Sequence, residues 1–147
     1  MNILEQIVAD KKVQLVEEKK LKTIDDYIKM SENKEIRDFS KALESAKNIA
    51  IISEIKKASP SKGIIKEDFD PLEAARAYEK EDFQAYSILT ERKYFLGKDE
   101  YVEMVKKITS RPILRKDFIV DEYQVYQSKA IGADAVLLIA SVLKDEL

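Results

Sequence analysis

From Ile49 onward, short apolar segments of strand length alternate with segments of helical period, and this alternation restricts the fold more than any other feature of the chain. Ile49-Ala-Ile-Ile-Ser-Glu-Ile-Lys56, Ala85-Tyr-Ser-Ile-Leu-Thr90, Pro112-Ile-Leu-Arg-Lys-Asp-Phe-Ile119 and Ala135-Val-Leu-Leu-Ile-Ala140 read as four strands. Between the first two, Asp70-Pro-Leu-Glu73 supplies an N-cap, a proline at the first helical position and a glutamate at the third, opening a helix through Glu81. Val102, Val105 and Ile108 give 99–108 an inward helical face, and a further helix from about Asp121 to Ile131 stops at Gly132. Strands and helices alternating on short connections imply right-handed βαβ units and a parallel sheet. The fourth segment is continuously apolar, as expected of a strand covered on both faces.

The chain ahead of Ile49 is helical. Ile3, Leu4, Ile7, Val8, Leu15 and Val16 form an apolar face, with Lys11, Lys12, Glu17, Glu18, Lys19 and Lys20 expected on the wet one. Thr23 and Asp26 cap a short helix through Tyr27 and Met30, and a third piece from Asp38 is expected to bury Phe39, Ala42 and Leu43. The expected organisation is a helical extension over residues 1–47 and an α/β region over 48–147. With 26 basic and 28 acidic residues the net charge is −2, so nothing draws the chain to nucleic acid or to an anionic membrane. Lacking cysteine and histidine, it has neither the usual zinc ligands nor a thiol nucleophile, and no metal or cofactor is expected. No apolar run is long enough for a bilayer, and Met1 leads into charged amphipathic sequence rather than a signal peptide, which points to the cytoplasm.

Alternation along the first strand puts Glu54 and Lys56 on one face at its C-terminal end, an expensive place for charge unless a ligand or partner answers it. The turn that follows, Ser59-Pro-Ser-Lys-Gly63, is neither G-x-G-x-x-G nor a Walker A loop, so a dinucleotide-binding doubly wound sheet is the weaker fit. A (β/α)8 TIM barrel places functional side chains at the C-terminal ends of several strands, as Glu54, Lys56 and Lys116 would be. Such a barrel needs about 200 residues or more, so a 147-residue chain with four strands amounts to its first half. Taken singly, each feature also has a plain structural reading. Lys116 between Arg115 and Asp117 is a solvated strand end, Glu54 with Lys56 an ion pair, the Ser-Pro-Ser-Lys-Gly run a turn, and Phe95, Phe118 and Leu137 core.

Three stretches together carry more. Ile52-Ser-Glu-Ile-Lys-Lys-Ala-Ser-Pro-Ser-Lys-Gly63, Ser87-Ile-Leu-Thr-Glu-Arg-Lys-Tyr-Phe-Leu-Gly97 and Pro112-Ile-Leu-Arg-Lys-Asp-Phe-Ile119 resemble the indole-3-glycerol phosphate synthase family of tryptophan biosynthesis, in the family's order. The resemblance implies an N-terminal helical extension followed by about the first four β/α units of a TIM barrel. It also implies a lyase that closes a ring on 1-(2-carboxyphenylamino)-1-deoxyribulose 5-phosphate with loss of carbon dioxide and water. On that resemblance Lys116 corresponds to the general acid and Lys56 to the lysine that meets the substrate carboxylate. Glu54 corresponds to the glutamate that assists proton transfer and holds the Lys56 counterpart in place, a lysine that also takes part in acid catalysis. Ser59 corresponds to a substrate-binding serine, while Phe95, Phe118 and Leu137 correspond to the walls of the aryl pocket. The segment Glu79 to Ser87 departs from the family in lacking a Gly-Ala run. The family's fifth-strand glutamate, sixth-strand asparagine and phosphate-holding glycine and serine loops have no counterpart in this sequence.

Protonating a ketose oxygen with a lysine requires a partly desolvated, cationic site that brings the ammonium below its free pKa of about 10.4. Lys56 and Lys116 converging at a barrel mouth would depress one another, with Phe95 and Phe118 as the apolar wall. Three readings therefore stand for the chain by itself: an enzyme fragment inactive alone; a different phosphosugar-binding barrel with a similar first half, the weakest of the three; and a half-barrel module that self-associates or pairs with a separate C-terminal half. The inner residues Ile52, Leu114 and Leu137 would otherwise face no opposite wall.

Overall fold

The structure is a computed structural model that describes residues 1–143; the last four residues of the expected 48–147 region lie outside the described part. Three helices come first: α1 (Ile3–Leu21), α2 (Ile24–Ser31) and α3 (Phe39–Glu44). Strand β1 (Ile52–Ile55) then leads into a small hairpin of β2 (Ala58–Ser59) and β3 (Gly63–Ile64), which the sequence presented only as a turn. The remaining elements are α4 (Pro71–Tyr78), β4 (Ala85–Leu89), α5 (Asp99–Lys106), β5 (Ile113–Lys116), α6 (Tyr123–Ala130) and β6 (Ala135–Val136). The main sheet runs β1-β4-β5-β6, every pair parallel, so each βα unit adds its strand beside the previous one as in the first half of a (β/α)8 barrel.

The helices start where local chemistry dictates. Asn2 and Thr23 each form a reciprocal capping box, with Glu5 and Asp26, and Asp70 accepts the Leu72 N–H ahead of Pro71. The main core fills the space between the outer sheet face and the helices. Ile55, Tyr86, Ile88 and Ile113 meet Ala75, Val102 and Val105 there, and Phe83 stacks edge-on to Tyr86 at 4.8 Å. A second cluster of Leu15, Tyr27, Tyr123 and Ala130 docks α1 and α2 on α6.

Three expectations need correction. The fourth strand is only two residues long, and Leu138 beyond it is 55% exposed, because among the described residues β6 has a neighbour on one side only and nothing covers its far side. In α1 the inward stripe is Ile7, Lys11 and Leu15; Lys11, expected in water, is 2% exposed, while Ile3 and Val16 are exposed. Helix α3 buries none of its residues, leaving Phe39, Ala42 and Leu43 half-covered. The arrangement nevertheless puts α1 across the C-terminal ends of the strands, with Asp10 bonded to Lys93 beyond β4 and Lys11 to Asp117 beyond β5.

Candidate functional site

Strand alternation splits β5 and its extension into two sets. Ile113, Arg115 and Asp117 are buried toward the helices, while Leu114, Lys116 and Phe118 lie on the half-open inner face. On β1 the same rule buries Ser53 and Ile55 and leaves Ile52, Glu54 and Lys56 on the inner face. Register brings the two charged ends together across β4: Glu54 pairs with Ser87, and Leu89 with Lys116. The Lys116 Nζ donates to Glu54 Oε2 at 2.8 Å, Ser87 Oγ donates to the same oxygen at 3.3 Å, and Lys56 Nζ lies 3.5 Å from Glu54 Oε1. The two lysines thus do not simply face each other, since the Glu54 carboxylate stands between them. Burial raises the Glu54 pKa, but the hydrogen bond and charge of Lys116, followed by those of Lys56, outweigh it and hold the carboxyl below its ordinary value. At neutral pH it is therefore a fixed anion ordering two ammonium donors.

Beside this triad opens a cleft of about 440 Å³. One wall is Phe95 and Phe118, ring centroids 6.1 Å apart and planes tilted by 41°. Another is the apolar start of α1, with Ile3, Leu4 and Ile7, and the rim is Lys56 with the β2–β3 hairpin from Ser59 to Lys62. A flat apolar slot with cations at its edge suits an aryl group that carries a carboxylate. Ser59 is buried, and its Oγ accepts the Lys62 N–H at 3.3 Å, so the hydroxyl also closes its own turn. Leu137 stands apart: it lies half-buried past β6, its N–H reaching the Arg115 carbonyl at 3.4 Å, and it does not line the cleft.

Other residues shape the site without having been singled out in the sequence. The buried Glu91 carboxylate accepts three successive N–H groups, from Lys93 at 2.9 Å, Tyr94 at 2.7 Å and Phe95 at 2.9 Å, which folds the loop that presents the Phe95 ring. Gly97 ends that loop so close to β4 that a Cβ there would sit 2.3 Å from the Leu89 carbonyl oxygen. Ser87 announces itself only through its register with Glu54. The Ile7, Lys11, Leu15 spacing of four was visible, but a lysine in such a stripe reads as a snorkelling surface residue.

Comparison with known proteins shows the family to which such a chain belongs. The sequence model of the family described as "Indole-3-glycerol phosphate synthase" matches residues 4–147. A protein of that name from Clostridium acetobutylicum is 60% identical over 147 residues, covering 99% of this chain and 56% of the relative. The relative from Thermoanaerobacter pseudethanolicus is 54% identical over 145 residues, covering 99% and 55%, and that from Acetivibrio thermocellus 50% identical over 147 residues, covering 98% and 56%. The chain spans about half the length of these curated relatives. With a parallel half-barrel, an ordered Lys-Glu-Lys triad and a family match along nearly its whole length, the chain belongs to the indole-3-glycerol phosphate synthase family.

Proposed function

We propose that this chain is the lysine-bearing half of an indole-3-glycerol phosphate synthase, able to turn over 1-(2-carboxyphenylamino)-1-deoxyribulose 5-phosphate only when the rest of a barrel is supplied. The observation that carries the reading is the Glu54 carboxylate between Lys56 and Lys116, at the edge of a cleft walled by Phe95 and Phe118. In this reading the aryl ring lies in the cleft, and Lys56 faces the substrate carboxylate. The ring carbon bearing that carboxylate attacks the ketose carbonyl, forming the new C–C bond as Lys116 protonates the oxygen. Carbon dioxide then leaves with its bond electrons restoring the aryl ring, and the hydroxyl, protonated by an ammonium, departs as water while the neighbouring N–CH2 carbon gives up a proton to form the C=C bond of the indole. Glu54 holds Lys116 in line and offers a place for the proton between steps. Ser59 and its hairpin make a first contact with the phosphate, and Leu137 joins the pocket only once the missing half packs against it.

The same reading treats residues 1–47 as an extension and 48–147 as the half-barrel, although α1 is tied to the strand ends by charge. It also places the chain in the cytoplasm, since a phosphorylated sugar derivative does not cross membranes unaided; no helix among the described residues is long and apolar enough to span one. A second reading, a half-barrel that pairs with another copy or with a separate C-terminal half, is favoured by Ile52, which is 44% exposed on the inner face.

The test is a graft in which residues 1–147 replace the matching part of the Clostridium acetobutylicum relative, with indole product followed by fluorescence. Product formation by the graft, lost on Lys116→Ala, is the expected result. A folded graft that makes no product, or one indifferent to Lys116→Ala, would overturn the proposal.

A further inference from the structure

We propose that Lys11 is a positioning residue: through its buried ion pair with Asp117, helix α1 fixes the strand end that presents Lys116 and Phe118. This rests on the function proposed above and assigns a part to a residue outside the reacting groups.

Lys11 and Asp117 are each 2% exposed and meet at 2.9 Å, although 106 residues separate them in sequence. Their contact is placed with some specificity. The oxygen that receives the Lys11 ammonium, Asp117 Oδ1, also accepts the Phe118 N–H at 2.8 Å. The other, Oδ2, accepts the Thr90 hydroxyl at 2.6 Å, and the Thr90 N–H in turn donates to the Lys116 carbonyl at 3.1 Å. The carboxylate that Lys11 grips, on the residue between the inward-facing pair, therefore holds the Phe118 amide directly and reaches the Lys116 carbonyl through Thr90.

Among the described residues no other cation answers Asp117 as closely. Arg115 stands 3.5 Å away, and its guanidinium is also bonded to Asp99 at 2.9 Å, Gln127 at 2.8 Å, Ser128 at 3.1 Å and Thr90 at 2.9 Å. A buried carboxylate with one partner removed is poorly compensated and relaxes toward whatever dipoles or water it can reach. For Asp117 that relaxation would carry the Phe118 amide and the Thr90 hydroxyl with it. Anchoring α1 alone would not need a charge here, since an apolar side chain would fill the Ile7 to Leu15 stripe with no desolvation to offset. An ion pair adds direction: it ties helix docking to the orientation of one carboxylate, and through it to the two side chains at the cleft.

Two measurements test the idea. In the graft, Lys11→Met should lower kcat about 10-fold or more, as displacement of a reacting group does, with the Lys11→Arg variant recovering most of it. In the Lys116→Ala background the same change should lower kcat by much less, because of the two residues being positioned only Phe118 remains. An equal loss in both backgrounds would reduce Lys11 to a purely structural role and overturn the proposal. In the folded graft, amide exchange gives a reading independent of activity. Lys11→Met should speed exchange at Thr90 and Phe118 at least ~10-fold relative to Ile113, whose N–H is held by Asp134 at the far end of β5. Uniform acceleration at all three would likewise overturn it. If Lys11→Met does not fold, Lys11→Met with Asp117→Asn removes both charges and is better tolerated; the same exchange comparison is then made there. A graft inactive with all its native residues would sink the enzymatic reading, while the exchange pattern would still decide on the clamp.

Discussion

In the proposed reaction, Lys116 is the residue on which the chemistry turns. If it is the proton donor, Lys116→Ala in the completed barrel should lower turnover ~100-fold or more with the fold intact, the range for losing a general acid. Lys56→Ala should raise KM as well, since it meets the charge of the substrate; initial-rate kinetics on both variants separates the two effects. Asp117 allows a prediction about pH. Burial pushes its carboxyl up, but Arg115 and Lys11, with the Thr90 hydrogen bond, outweigh this and hold it below the ordinary value. Such a group takes up its proton more readily when unfolded. Its contribution is therefore complete above the unfolded aspartate value of ~3.9 and is lost as pH falls through the lowered folded value. Asp117→Asn should lower Tm at neutral pH yet flatten the decline of Tm from pH ~5 to ~2, as read by circular dichroism; an unchanged slope would show that other carboxylates dominate. The grouping of Glu54, Lys56 and Lys116 at strand ends was legible in the sequence, the first two from two-residue alternation and Lys116 from the barrel reading and the family resemblance. Lys11 was not, because a helical period shows which face a residue is on and says nothing of an anion waiting on a strand far along the chain.

At the scale of elements, every helix and strand read from the sequence is present; the β2–β3 hairpin was read only as a turn, and the other differences in extent lie at ends. Strand β1 starts at Ile52 rather than Ile49, since the ladder begins only where Ala85 stands opposite Ile52. Strand β6 is short for the opposite reason: Val-Leu-Leu-Ile has the propensity to continue, but propensity without a second neighbour does not make a ladder. The loop from Glu91 to Gly97 is the element whose chemistry was least visible, because three N–H groups converging on one carboxylate leave no periodic trace. Its tight end supports a prediction. Gly97→Ala would drive a methyl into the backbone of Leu89 and Thr90, which cannot move without disturbing the sheet. A loss of about 2–3 kcal/mol is expected, equivalent to ~4–12 °C in Tm for a chain of this size. Thermal denaturation of the variant checks it, and a Tm within a degree of the parent would mean that the loop simply opens. Product formation in the graft should also suffer, because the loop carries Phe95.

For the whole molecule, the open inner face dominates. Four parallel strands with α1 across one end leave Ile52 exposed and Leu114 and Leu137 only half-covered, a surface that monomers seldom carry. The isolated chain should therefore pair with a second copy or remain partly molten. Light scattering with dye-binding measurements checks this, and a monodisperse, cooperatively unfolding monomer that binds no dye would refute it. It should also form no indole product alone at a useful rate, since the family's later catalytic and phosphate-holding elements are supplied by no part of this sequence. Turnover near that of a complete relative would contradict that expectation. Barrel class was legible because helices recur on short connections, whereas the state of the uncovered face depends on surfaces that no local pattern encodes. The two-sided use of β5 bears finally on how such a chain can change over generations. Arg115 and Asp117 belong to the buried network and Lys116 and Phe118 to the inner face, so inserting or deleting one residue in that strand would exchange the two sets at a stroke. Point substitutions can be tried one at a time against either duty; a frame-preserving codon gain or loss there cannot, and lineages carrying this strand are confined to varying its letters while keeping its length.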